Sequence, residues 1–275
     1  MAKRKKQAKV VVVTSGKGGV GKSTVAGNLG AALALLDREV IIADMDIGLR
    51  NMDILLGLES RVVFNIIDVA EGSCRLDQAL VRSKISPNLR LLPASQTRTK
   101  DDLGAKETAV IVERLRDMAD YIIIDCPAGI ENGFKNSIGS ADEAIVVVNP
   151  EISSIRDSDR VIGMLDALPT RVPSSLLINR YKESLVRQGD QLSVEDISEI
   201  LFIPLLGVIP ETENVVRGAN RGELVPPESP EGRIFRDVAR RMEGEAVTVQ
   251  TTFGSDREEK KTFLGSLSKL FGNSK

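Results

Sequence analysis

A mostly parallel, twisted sheet with helices on both faces is the architecture the sequence predicts. Three observations carry it. Short β-branched runs alternate with longer segments of helical periodicity. Several runs are apolar throughout, as strands covered on both sides are. A glycine-rich turn joins the first run to an alanine-rich helix. In chain order, "KVVVVTS" opens as a strand and 23–36 follows as a helix. "EVIIAD" and "LRLLPA" read as strands, 105–119 as a helix and "YIIIDC" as a strand. "EAIVVVN" then precedes a helix over 153–168, and "SSLLIN" one over 193–201. "LLGVIP" is the last strand. "SPEGRIFRDVARRM" opens a late helix, with Ser229 at its N-cap and Pro230 at its first position. After Gly244 the polar "EAVTVQTTFGSD" reads as a linker.

Composition bounds the chemistry. With 37 basic and 39 acidic residues the formal net charge is −2, which argues against a surface built to neutralise a nucleic-acid backbone. No histidine occurs in the 275 residues, so histidine bases, Ser-His-Asp triads and the common zinc sites are excluded. Cys74 and Cys126 lie far apart and form no CxxC, as expected of thiols in a reducing compartment. The basic start, 1–9, precedes an apolar run too short for a signal peptide, and no window approaches the roughly 20 apolar residues of a membrane span. A cytoplasmic protein with one large domain, 10–244, is expected.

Gly16 to Ser23 fits the phosphate-loop pattern GxxxxGK[ST], placed between a strand and a helix as its mechanism requires. Gly18, Gly19 and Gly21, with Val20 between them, let backbone amides turn toward phosphate oxygens. The helix N-terminus adds its positive end, Lys22 pairs with the outer phosphates, and Ser23, followed by Thr24, offers a hydroxyl to Mg²⁺. Lys17 is surplus to that pattern. A long cation near the start of the loop need not curl back onto its own nucleotide and can reach a facing subunit. "YIIIDCPAG" ends an apolar strand with Asp125, a carboxylate placed to hold magnesium through water. Asp44 and Asp46 end another strand, where an extended backbone would put both on one face. Phosphoryl transfer to water asks mainly for positioning and charge neutralisation, so carboxylates, two lysines and Mg²⁺ suffice without histidine.

Read as a helix, 257–272 aligns Phe263, Leu264, Leu267, Leu270 and Phe271 in one apolar stripe, with Lys260, Lys261 and Lys269 beside it. Such a stripe fits either a helix docked on its own domain or one lying in a membrane surface.

"KGGVGKST" resembles the deviant Walker A signature of the ParA/MinD family of P-loop ATPases. The likeness runs from about Val10 to Gly272, through "DMDIGLRNMDILLG", "RVVFNIIDV", "LPASQTR", "DCPAGIE", "ADEAIVVVNPEISSIRDSDRVIG", "VIPE" and "EEKKTFLGSLSKLFG". The resemblance implies a P-loop NTPase fold and an ATP- and Mg²⁺-dependent homodimer in which Lys17 contacts the partner's nucleotide. It further implies that Asp46, and less directly Asn51, orient the attacking water, that Asn179, Arg180, Pro210 and Glu211 surround adenine, and that Glu151 reaches the partner's ribose. The 257–272 helix becomes a membrane-targeting segment beyond a 245–256 linker. Ser154 and Asp157 become contacts for the division inhibitor MinC or for MinE or a topological factor. The implied function is placement of the division septum, with the protein peripheral on the inner face of the cell membrane, or on the stromal side in a plastid, and without a specific nucleic-acid partner. A flagellar-site ATPase, a ParA-type partitioning ATPase and a nucleotide-gated scaffold with negligible hydrolysis share the loop. An iron–sulfur carrier would need a pair of cysteines that this chain does not offer.

Overall fold

The computed structural model describes residues 7–48, 51–127, 129–130 and 132–253. The chain runs β1 (Lys9–Thr14), α1 (Lys22–Leu35), β2 (Val40–Asp44), α2 (Met52–Leu55), α3 (Ile66–Ala70), α4 (Leu76–Ala79), β3 (Val81–Arg82), β4 (Leu89–Leu92) and α5 (Ala105–Arg116). It continues β5 (Tyr121–Asp125), α6 (Asn132–Ile138), β6 (Glu143–Val148), α7 (Ile152–Asp166), β7 (Ser174–Tyr181), α8 (Glu183–Gln188), α9 (Val194–Leu201), β8 (Leu205–Pro210), α10 (Glu213–Arg221) and α11 (Pro230–Met242). Eight strands form one sheet in the order β3-β4-β2-β5-β1-β6-β7-β8. Every pairing is parallel except that of β3 with β4.

Residue alternation explains why the central strands are apolar throughout. Val10 and Val12 of β1, with Ile122 and Ile124 of β5, face the layer of α5, α6, α7 and α9; Val11 and Val13, with Ile123, face α1 and α11. Each central strand therefore contributes to two cores. The sheet places β1 between β5 and β6, so the chain leaves it in opposite directions on its two sides. The carboxyl ends of β1, β2, β5, β7 and β8 meet around that switch point, where ligands of open parallel sheets bind.

Residues 245–253, read from the sequence as linker, pack on the domain. Arg241 donates to the carbonyls of Leu206 and Val247, the Phe253 amide donates to Glu183 Oε2 at 3.1 Å, and the Phe253 ring meets Tyr181 edge-on at 6.2 Å between centroids. The segment has no helical or alternating period, but Val249 and Phe253 suffice to hold it. The apolar stripe Phe263, Leu264, Leu267, Leu270 and Phe271 lies outside the described residues. Among the described residues no helix is long and apolar enough to cross a membrane.

Candidate nucleotide site

The loop between β1 and α1 is held from three sides. Gly16 lies against the backbone of Asp157 in α7, too close for a side chain. Gly21 sits at φ +98° as the cap of α1, and a Cβ there would press on the Asn179 amide. Asn179 in turn donates to the carbonyl of Val20 at 2.7 Å. Buried at the end of β7, Asn179 thus braces the phosphate loop, in addition to the adenine contact that the resemblance implies. Gly21→Ala combines a left-handed backbone with this collision. It is expected to lower nucleotide affinity at least about tenfold and to cost about 1–3 kcal/mol of stability, as calorimetric titration and thermal unfolding would show.

No side chain caps α1, and no acidic residue occupies its first turn. Its free amides and positive end therefore suit a phosphate. Lys22, almost fully buried, donates to Ser15 Oγ at 3.1 Å, and Ser15 Oγ donates to the Lys17 carbonyl at 2.8 Å. Lys17 points elsewhere. Its Nζ lies 3.2 Å from Glu151 Oε2 and 3.1 Å from Ser153 Oγ, at the start of α7. Both side chains are about half exposed, at 43% and 52%, so this pair is worth only about 0–1 kcal/mol and yields easily to a better anion.

Opposite the loop stand the carboxylates. Asp44 and Asp125 close adjacent strands in direct register. Asp46 does not follow from strand alternation as expected: β2 stops at Asp44, and the Asp46 amide turns back to Asp44 Oδ1 at 3.0 Å. Asp46 still shares the site, because the turn keeps its charge near Asp125. Burial, the Asp125 charge and the Asp46 charge hold Asp44 well above the usual carboxylate range. Burial pushes Asp125 up to about 7, against hydrogen bonding from Ser23 and the charge of Lys22. Among the described residues, Asp44 Oδ2 and Asp125 Oδ1 are buried with no hydrogen-bond partner. Acid oxygens left without donors beside Ser23 fit a divalent cation. Among the described residues no group of three or more acidic, cysteine or histidine side chains is arranged to hold a metal ion by itself. A metal held here therefore completes its shell from phosphate and water, as Mg²⁺ does.

Gly18, Gly19, Gly21, Lys22, Ser23, Thr24, Asp46 and Asn51 line one cleft of about 520 Å³ together with Ile54, Leu55, Arg180, Asn220, Arg221 and Gly222. Arg180 holds φ +57°, a conformation that costs a non-glycine residue about 1 kcal/mol or more and concentrates at functional sites. Pro210 ends β8, and Glu211 pairs with Lys182 at 2.5 Å in an adjoining groove that also includes Asn220 and Arg221. Sequence reading missed Ile54, Leu55, the α10 residues Asn220 and Arg221, and Gly222 just after the helix. The one signal for the last three was "ANRG", a basic helix end followed by glycine. One assignment is corrected. Ser154 is buried and its hydroxyl accepts from the Asn149 amide at 3.0 Å, so it offers nothing to a partner; Asp157 is half-buried behind Gly16. Cys126, also buried, is pushed up to about 12 by burial and is inert in that form.

The CobQ/CobB/MinD/ParA nucleotide binding domain family matches residues 11–225. The septum site-determining protein MinD of Synechocystis is 50% identical over 242 residues, covering 87% of this chain and 91% of that protein. The chain belongs to the MinD family. Among solved structures, the MinC:MinD cell division protein complex of Aquifex aeolicus matches with a TM-score of 0.82 at 44% identity, covering 88% of this chain and 98% of that one. The MinD of Pyrococcus horikoshii complexed with Mg-ADP matches at 0.77 and 30% identity, covering 86% and 96%. Membership of the MinD family makes the site that of a nucleotide-binding cell-division ATPase. The iron–sulfur reading falls away with it.

Proposed function

We propose that the chain is a Mg²⁺-dependent ATPase that dimerises around ATP, associates with membrane through 257–272 and helps to place the division septum by recruiting a MinC-type inhibitor. The observation that carries the dimer is Lys17. Its ammonium is exposed, on the rim of the loop, and turned from its own phosphate cradle toward a weak and replaceable partner, Glu151. A second protomer's triphosphate offers a stronger one.

The MinC:MinD complex of Aquifex supports the inhibitor, and the Mg-ADP form of the Pyrococcus protein supports the cofactor. Ser23 and Asp125 hold Mg²⁺, which when bound neutralises charge on the phosphates. Lys22 and the loop amides cradle the outer phosphates. Asp46, with Asn51 at the head of α2, orients the attacking water. Residues 10–244 are the ATPase domain, 245–256 lead out of it, and two 257–272 segments on one dimer bind lipid with an avidity that a single short apolar stripe lacks. Hydrolysis then returns monomers to the cytoplasm or the stroma. Phosphate release by the full chain with Mg-ATP and anionic vesicles is expected to exceed that of Lys22→Ala at least about tenfold. Equal rates would leave the scaffold reading.

A further inference from the structure

We infer that Arg221 is a nucleotide-affinity residue, its guanidinium meeting the phosphate attached to the ribose, the anion that ATP and ADP share. This rests on the nucleotide site proposed above. Arg221 is the last residue of α10, exposed on the wall of the phosphate cleft. It also lines the adjoining groove of Lys182, Glu211 and Thr212, so it stands where the phosphate end of the trough joins its outer end. With the base set at the Pro210–Glu211 end of the trough, the phosphate at that join is the innermost one.

Its neighbour in the helix makes a useful contrast. Arg217, one turn earlier, pairs with Glu213 at 3.4 Å, whereas Arg221 has neither ion pair nor hydrogen bond among the described residues. A cation on a helix C-terminus gains from the helix dipole wherever it points, but that does not account for its place in the cleft.

The backbone beneath Arg221 is fixed rather than loose. Gly222 turns the chain at φ +64°, with room for a Cβ only 2.8 Å from Ile54 Cγ2, and the Glu223 amide closes onto the Gly218 carbonyl at 2.9 Å. Beyond it, the Val225 amide donates to Asn28 Oδ1 at 2.9 Å, and Asn28 Nδ2 donates to the Thr24 carbonyl at 2.7 Å. The exit of α10 is thereby tied to the first turn of α1. Arg221 and the phosphate loop form one frame, and a guanidinium held there is prepared for an anion that both walls touch.

Calorimetric titration of the full chain with Mg-ADP tests this without relying on dimerisation or turnover. Arg221→Ala is expected to raise the Kd for ADP about 10- to 100-fold and that for a non-hydrolysable ATP analogue by a similar factor. Arg221→Lys should recover part of the loss, Arg236→Ala, at a surface arginine of α11 that lines neither the cleft nor the groove, should change nothing, and in turnover KM should rise with kcat held within about threefold. An unchanged Kd for ADP, with Arg221→Ala folded by circular dichroism, overturns the assignment, and so does a lowered kcat at unchanged KM. If Arg221→Ala does not fold, Arg221→Gln carries the same test. Failure of the unaltered protein to bind Mg-ADP would instead overturn the nucleotide site itself.

Discussion

Replacing Asp46 by asparagine is expected to lower ATP hydrolysis by about 10²- to 10³-fold while nucleotide binding and dimerisation persist. The carboxylate is held beside the phosphate cleft by a turn whose amide reaches Asp44 Oδ1, and it is half-buried, so a neutral isostere keeps the shape and removes the charge that orients water. The loop amides, Lys22 and Ser23 are untouched. Single-turnover phosphate release, measured beside equilibrium binding of a fluorescent ATP analogue, separates the two effects. Loss of binding together with hydrolysis would make Asp46 a residue that holds the nucleotide and not one that orients water.

Lys17→Ala is expected to have the opposite profile, with an intact monomer and a failed dimer. In the monomer only the exposed pair with Glu151 and the contact to Ser153 are lost. In a symmetric dimer two charge-assisted contacts go, so the dimer Kd should rise about 10²- to 10⁴-fold. Sedimentation velocity with a non-hydrolysable ATP analogue reads this directly, and unimpaired dimers would end the cross-subunit role of Lys17. Binding of Mg-ADP should stay within about twofold, because the lysine points away from its own cradle.

The sheet was legible because it is buried on both faces. Strands such as Val10–Val13 and Ile122–Ile124 carry apolar residues at every position, which admits few other readings. The two-residue β3 has no such run. It pairs antiparallel with β4 at the edge, and nothing in "LVRSK" distinguishes it from a loop. Short helices escaped for a related reason. α6 contains a glycine in "NGFKNSI", and α10 carries glycine and asparagine, so propensity argues against what tertiary contacts impose.

The phosphate loop was legible as a motif, since the backbone geometry dictates glycine at fixed intervals. The far wall was not. Only Arg180, at the end of β7, follows from the resemblance; Asn220 and Arg221 reach the cleft from the end of α10, an element whose approach is set by the sheet order and not by sequence spacing. Ser154 shows the limit from the other side. On "EISSIRDSDR" both serines look like surface, yet the phase of α7 buries Ser154 and leaves Ser153 to meet Lys17. The pattern of one helix does not fix which polar residue faces out when the buried side carries a backbone amide in need of an acceptor.

In this scheme ATP, through Lys17, controls whether the 257–272 segment holds the membrane. Co-sedimentation with anionic vesicles tests it most directly, using the full chain and a version ending before Arg257, each with ATP, ADP and a non-hydrolysable analogue. Binding that requires both the triphosphate and the tail is the predicted result. Binding of the full chain that is equal in ATP and ADP, or binding by the truncated chain, would contradict it.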